Sequence, residues 1–407
     1  MFSNYTENGF RGLCYLPVMT RLFSFFCIIY CLQAGAQPLQ NEFLLGRTAG
    51  SLPHLEYSLG EDRLGAAKMT YLDTSIVVNV VDSTKDVYKV RLSKNHFAYL
   101  PKDNFKADST IKIQPYYLTD RWKVYGDNKY DYIEIALDEQ LPYRSIQQIN
   151  PSKIVVDIFG ATSNTNLIAQ LSTTKEIKNT WYEQTEDDVF RVTVELNHEQ
   201  HWGYSIYYEE KKLVIRIKQQ PPILELEKLK VAVDAGHGGE NTGTGGATCH
   251  CIEKKYTLLF AKELERALLE EKATVFMTRE KDTTLSIAER VAMLKEQQPD
   301  ILISIHLNSS DLDSVQGAST YYRYIGFRPL TQTILKRMLE LRLKEYGNAG
   351  SFNFGLNGPT DYPDCLVEVA FLSNKEDEQR ILDPEFHKQV AVKIVEGIKD
   401  WLKNMQR

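Results

Sequence analysis

"VAVDAGHGGENTGTGG", Val231 to Gly246, sets six glycines around a single imidazole, His237, at the close of an apolar run. The run reads as a strand and the glycines as the loop that follows it. Two chemistries fit such a loop: a phosphate cradle or an open metal site. A P-loop needs a Lys and a Ser or Thr after its glycines, and "GHGGENTGTGG" has neither in place. A dinucleotide fingerprint needs a helix to open on the glycines, but here the helical pattern starts only after Ile252. The metal reading has the better support.

Outward from this stretch, strand-like and helical patterns alternate from Glu225 to the C-terminus. "KVAVDAG", "ATVFMTR", "DILISIHLN", "ASTYYRY" and "CLVEVAF" read as strands. Helices are expected over residues 255–271, 286–297, 328–346 and 386–405. In the first of these, Phe260, Leu264, Ala267 and Leu268 fall on one face. Such alternation predicts an α/β domain over 225–407, with a largely parallel, twisted sheet flanked by helices. Ligands of these sheets sit beyond the carboxyl ends of the strands. His237 follows one predicted strand and His306 closes another.

Four polar residues meet the needs of a catalytic zinc. His237 lies in the loop, Glu253 opens a helix in "CIEKK", and His306 ends the strand in "SIHLN". Two histidines and one carboxylate leave the fourth tetrahedral position to water. Glu368, a lone carboxylate in the apolar "CLVEVAF", is the candidate general base, since burying its charge without a partner would be costly. Asp234 and Asn308 are candidates for ordering these groups by hydrogen bonding. "TCHC" (Thr248 to Cys251) is unusual: either Cys249, His250 and Cys251 compete for zinc, or they form an exposed loop.

The motifs "DAGHGG", "EKK", "TREKD", "AER", "PDILISIHLN" and "LVEVAFLSN" stand in an order that resembles the zinc-dependent N-acetylmuramoyl-L-alanine amidases of the amidase 3 family. The resemblance covers roughly Leu229 to Leu402. It implies zinc held by His237, Glu253 and His306, with Glu368 as catalytic acid and base. It also implies the reaction: hydrolysis of the amide between N-acetylmuramic acid and L-alanine in peptidoglycan. Family members often carry an Arg-Gly pair where this chain has Asn348-Ala349-Gly350. The short links after Asn308 predict that no inhibitory helix is inserted there, although envelope activator proteins remain among the expected partners. Two rival readings stay open, another zinc peptidase or carboxypeptidase of the stem peptide and a non-catalytic wall-binding envelope protein.

The rest of the chain is read as all-β modules. "SIVVNVVD", "VYKVRLS" and "HFAYLP" predict a small barrel over 51–110, which resembles SH3-like modules of wall enzymes. Over 113–220 the strands "YDYIEIAL", "KIVVDIFG", "VFRVTVEL", "WGYSIYYE" and "KLVIRIKQ" predict a β-sandwich, and "KIVVDIFG" resembles AMIN-type modules that attach to peptidoglycan. Pro221-Pro222 marks the break before the α/β domain. Upstream, Arg21 precedes the apolar "LFSFFCIIYCL" and Ala34-Gly35-Ala36 follows it, the pattern of an export signal over 1–36. Met19 opens a more conventional signal of the same kind. The run is too short to span a bilayer, so the mature protein is expected to be exported to the periplasm or envelope without a transmembrane span. Three cysteines then remain, Cys249, Cys251 and Cys365, an odd number that predicts no disulfide framework. A net charge of −6 argues against nucleic acid as a partner.

Overall fold

Runs of β-branched and aromatic residues between short turns dictate the N-terminal half. The computed structural model describes residues 44–60, 64–249 and 251–406; the segment expected to be an export signal and His250 lie outside them. Residues 44–107 form a seven-stranded sheet in which every pairing is antiparallel. Residues 117–218 build two further sheets. One is centred on the strands Lys153–Phe159 and Val189–Leu196, the other on Tyr130–Leu137 and Lys212–Lys218. In Val189–Leu196 the alternate residues Phe190, Val192, Val194 and Leu196 are buried, while Arg191 and Glu195 between them stay partly exposed. Apolar side chains of all three sheets join in one core.

Beyond Pro221 the periodicity changes and so does the architecture. Numbered within this domain, the elements are β1 (Lys230–Ala235), α1 (Glu253–Glu270), β2 (Thr274–Met277), α2 (Ile287–Gln297), β3 (Ile301–Asn308), β4 (Ala318–Tyr321), α3 (Arg328–Met338), β5 (Glu345–Ala349), β6 (Asp364–Phe371), α4 (Lys375–Leu382) and α5 (Pro384–Asn404). The sheet order is β2-β1-β3-β6-β4-β5. The first four strands run parallel, β4 runs against β6, and β5 follows β4, so the sheet is mixed. Every residue of β3 except Asn308 is buried, as a parallel strand covered on both faces must be. Helix α1 buries Tyr256, Phe260, Leu264 and Leu268, and α5 buries Phe386, Val390, Ile394, Ile398 and Trp401 in the same core.

Two departures from expectation have local causes. The helix expected over 328–346 ends at Met338 because Arg342 turns left-handed (φ 59°) and Arg380 Nη1 caps the Leu341 carbonyl at 3.0 Å. The chain then re-enters the sheet as β5. The second departure is α4, which was not expected. It is started by Asn374, whose side chain accepts the amides of Glu376 and Asp377. Residues 309–317 link β3 to β4 without a helix.

Candidate metal centre

The carboxyl ends of β1 and β3 lie side by side in the parallel ladder, so the loop after β1 and the last residues of β3 meet. His237 occupies the first loop with φ 61°, and Gly238 follows at φ 128°, a conformation that only glycine adopts readily. Glu253 is the first residue of α1 and comes back to the same point. One donor atom from each of His237, Glu253 and His306 lies within 4.8 Å of the other two.

Their hydrogen bonds set the donor chemistry. Asn241 Oδ1 accepts the Gly243 amide at 3.2 Å, so it also accepts from His237 Nδ1 at 2.9 Å. That leaves His237 Nε2 facing Glu253 Oε1 at 3.0 Å, donating to it when the ring is protonated and able to offer its lone pair to a cation when it is neutral. His306 Nδ1 faces the same oxygen at 3.1 Å, while its Nε2 is buried without a hydrogen-bond partner. Two imidazoles and one carboxylate oxygen thus converge, and a divalent cation with N and O ligands suits this donor set. Burial works against charge on both His237 and Glu253. Their mutual contact wins, raising the imidazole's pKa and holding the Glu253 carboxyl well below its usual range.

A cleft of about 890 Å³ opens over these groups. Glu368 lines it and stands opposite His306 in the β3–β6 ladder. Asn308 also lines it, accepting from the Ser309 amide and donating to Tyr321 Oη. Phe352, Phe354 and Leu64, the last from the first β module, give the cleft an apolar wall, and the Phe354 ring stands 5.2 Å from that of His306. Asp234 lies lower, fully buried, accepting from Thr278 Oγ1 (2.7 Å), Ser304 Oγ (2.6 Å) and Arg290. Burial opposes its charge, but the Arg290 guanidinium and these hydroxyls hold it below the ordinary carboxylate range.

Sequence reasoning missed the residues that shape the loop. Arg290 donates to the Ala235 carbonyl at 2.9 Å and to the His237 carbonyl. Arg279 binds the carbonyls of Ala235, Gly236 and Lys254 at 2.7–2.9 Å. Lys254 Nζ bridges the Gly239 carbonyl and Asp282, which takes the Gly239 amide in return. Their signal was the charged residues of "EKK", "TREKD" and "AER". The cysteines of the described residues also differ from expectation: Cys249 and Cys251 form a disulfide, Cys251 is buried, and Cys365 is free and buried. Pairing is possible because the hairpin described below brings the two Cα atoms to 5.2 Å.

Comparison with known proteins gives matches over the same segments. Residues 231–400 match the family model described as N-acetylmuramoyl-L-alanine amidase, and residues 122–217 match that of the AMIN domain. A "probable cell wall amidase LytH" of Staphylococcus aureus is 32% identical over 176 residues, 43% of this chain. The chain spans 58% of that relative's length. Among solved structures, the catalytic domain of CwlV, an N-acetylmuramoyl-L-alanine amidase from Bacillus (Paenibacillus) polymyxa var. colistinus, is 31% identical. That match covers 43% of this chain and 98% of the other, with a TM-score of 0.41. AmiC2 of Nostoc punctiforme is 29% identical over 44% of this chain and 98% of its own, also with a TM-score of 0.41.

Proposed function

With an amidase-3 domain at residues 231–400 and an AMIN domain at 122–217 as the premise, we propose that this protein is a zinc-dependent N-acetylmuramoyl-L-alanine amidase. It cuts the amide between the lactyl group of N-acetylmuramic acid and the L-alanine of the stem peptide, outside the cytoplasm. The observation that carries this reading is the convergence of His237, Glu253 and His306 beneath a cleft that Glu368 also lines. Among the described residues no helix is long and apolar enough to cross a membrane.

His237, Glu253 and His306 would hold the ion. Zinc, when bound, polarises a carbonyl oxygen and lowers the pKa of water to about 7. Glu368 takes the proton of the attacking water and hands it to the departing alanine nitrogen, serving as base and then as acid. Asn241 fixes the His237 tautomer, and Arg279 and Arg290 hold the loop so that the imidazole keeps its aim. Phe352 and Phe354 offer flat apolar surface to the substrate beside these polar groups. The domain layout is an export signal over 1–36, an SH3-like module expected over 51–110 to which the strand Leu44–Thr48 also belongs, an AMIN-like sandwich over 113–220 that engages peptidoglycan, and the catalytic domain over 225–407.

Digestion of purified peptidoglycan, with and without a chelator, tests the assignment by mass spectrometry of the fragments. Free stem peptides with an L-alanine N-terminus are expected, lost on chelation and restored by zinc. Intact stems after treatment with folded, zinc-loaded protein would overturn it. Loss of terminal D-alanine alone would make the protein a carboxypeptidase.

A further inference from the structure

The amidase reading leaves "TCHC" unused, yet this stretch is built into the approach to Glu253. From Thr242 the chain folds back on itself as a narrow hairpin. Glu253 N donates to Thr244 O at 2.9 Å, and Gly246 N donates to Cys251 O at 2.9 Å. Thr244 N returns to the Glu253 side chain, at Oε2, also at 2.9 Å. The disulfide Cys249–Cys251 closes the tip of this hairpin.

The tip is clamped from outside as well. Glu378 of α4 is fully buried and receives the Thr248 amide at 2.9 Å, the Cys249 amide at 3.0 Å and the Thr248 hydroxyl. Cys251 Sγ lies 3.7 Å from the same carboxylate. Ala247 N reaches the carbonyl of Leu372, just past the end of β6. Gly246 completes the enclosure: a Cβ there would stand 2.7 and 2.8 Å from the two sulfurs. A cross-link between residues two apart closes almost no chain in the unfolded state, so it adds little to global stability. What it fixes is local, namely the turn from which Ile252 and Glu253 depart.

We propose that Cys249–Cys251 is a thiol–disulfide exchange site, and that its redox state sets the order of the hairpin presenting Glu253. The second half of this proposal rests on the reading that His237, Glu253 and His306 hold zinc. The substrate class is small thiols and dithiol oxidoreductases. Cys249 is partly exposed and Cys251 is buried, so the incoming thiolate attacks Cys249 Sγ. The S–S bond breaks, and Cys251 leaves as a thiolate that takes up a proton. A second thiol of the reductant displaces Cys249, closing the reductant's own disulfide. Two electrons have entered the protein and the reductant is oxidised by two. The freed sulfurs must then part to van der Waals contact, and because Cys251 is buried against Glu378 the tip of the hairpin has to shift to let them. The displacement passes through Cys251 and Ile252 to Glu253.

The test compares the oxidised full chain with the same protein reduced by tris(2-carboxyethyl)phosphine and freed of it under argon. Alkylation and mass spectrometry count the thiols. Hydrogen exchange of residues 242–254 and zinc transfer to a chromogenic chelator are then measured. Reduction is expected to speed exchange in this segment and zinc transfer each by about tenfold, the size of effect seen when groups around metal ligands are disturbed. The Cys249→Ser/Cys251→Ser double variant should behave as the reduced protein and ignore the phosphine. Equal exchange in both redox states would overturn the proposal. So would uptake of a second zinc equivalent on reduction, which would make the two thiols with Glu378 a metal site. Redox-dependent exchange in a protein that releases no stem peptides would leave the switch standing and remove the amidase.

Discussion

Glu368 and Asp364 share β6 and face opposite fates. Glu368 lines the cleft, where it can meet water and substrate. Glu368→Gln should retain zinc while turnover falls by ~10²–10⁴-fold, the usual worth of a general acid–base group; His306→Ala should lose both. Metal analysis beside single-turnover rates separates the two, and near-normal rates in Glu368→Gln would remove it from the chemistry. Asp364 has no water to meet. Burial pushes its carboxyl up to about 8, against the pull of the Asn357 amide and of Arg323. The folded acid therefore keeps its proton to about pH 8, while the unfolded one loses it near ~4. Between these values the unfolded state binds fewer protons, so this residue makes stability fall as pH rises, by at most ~1.4 kcal/mol per pH unit. Urea midpoints at pH 5 and pH 7.5 should diverge less in Asp364→Asn than in the wild type. Equal divergence would show that Asp364 ionises normally in the fold.

At the scale of elements, α5 lies so close to α3 that a Cβ on Gly397 would stand 2.6 Å from Ile334 Cα. Gly397→Ala would gain up to ~1 kcal/mol of helix propensity. The neighbour is backbone and cannot rotate away, so the helices must separate, and overpacking of this kind costs ~1–3 kcal/mol. The expected net effect is destabilisation, read from chemical denaturation; a more stable variant would mean the helices part freely. Strong periodicity made α1, α2, α5 and the central strands readable in the sequence. The end of α3 was not, because Leu339, Leu341 and Leu343 continue an apolar pattern past the cap supplied from α4 by Arg380. His237, Glu253 and His306 were legible as polar residues at or beside strand and helix ends, and Glu368 as the lone carboxylate of an apolar strand. Arg279 and Arg290 could not, since their partners are carbonyls of a loop that exists only once folded.

For the whole molecule, the first β module reaches the cleft. Asn353 sits between the two aromatic residues of the cleft wall, Phe352 and Phe354. Its side chain accepts the Lys68 amide at 3.0 Å and donates to the Ala66 carbonyl at 2.7 Å. Tyr71 Oη holds the Gly355 carbonyl at 3.1 Å, and Arg323 donates to the Lys68 carbonyl. Hydrogen bonds of this kind contribute ~1 kcal/mol each. Asn353→Ala should therefore loosen the wall and raise KM for peptidoglycan ~5-fold or more, with kcat within about twofold. Unchanged kinetics would uncouple the module from the cleft. A fragment beginning at residue 225 would keep every polar side chain of the centre and lose Leu64 together with the struts at 66–71. Its mouth would be wider and wetter, and it would admit bulkier, more branched polymer than the full chain does. Trimming this protein to its most recognisable part is therefore expected to change what the cleft admits, because the first module supplies part of its wall.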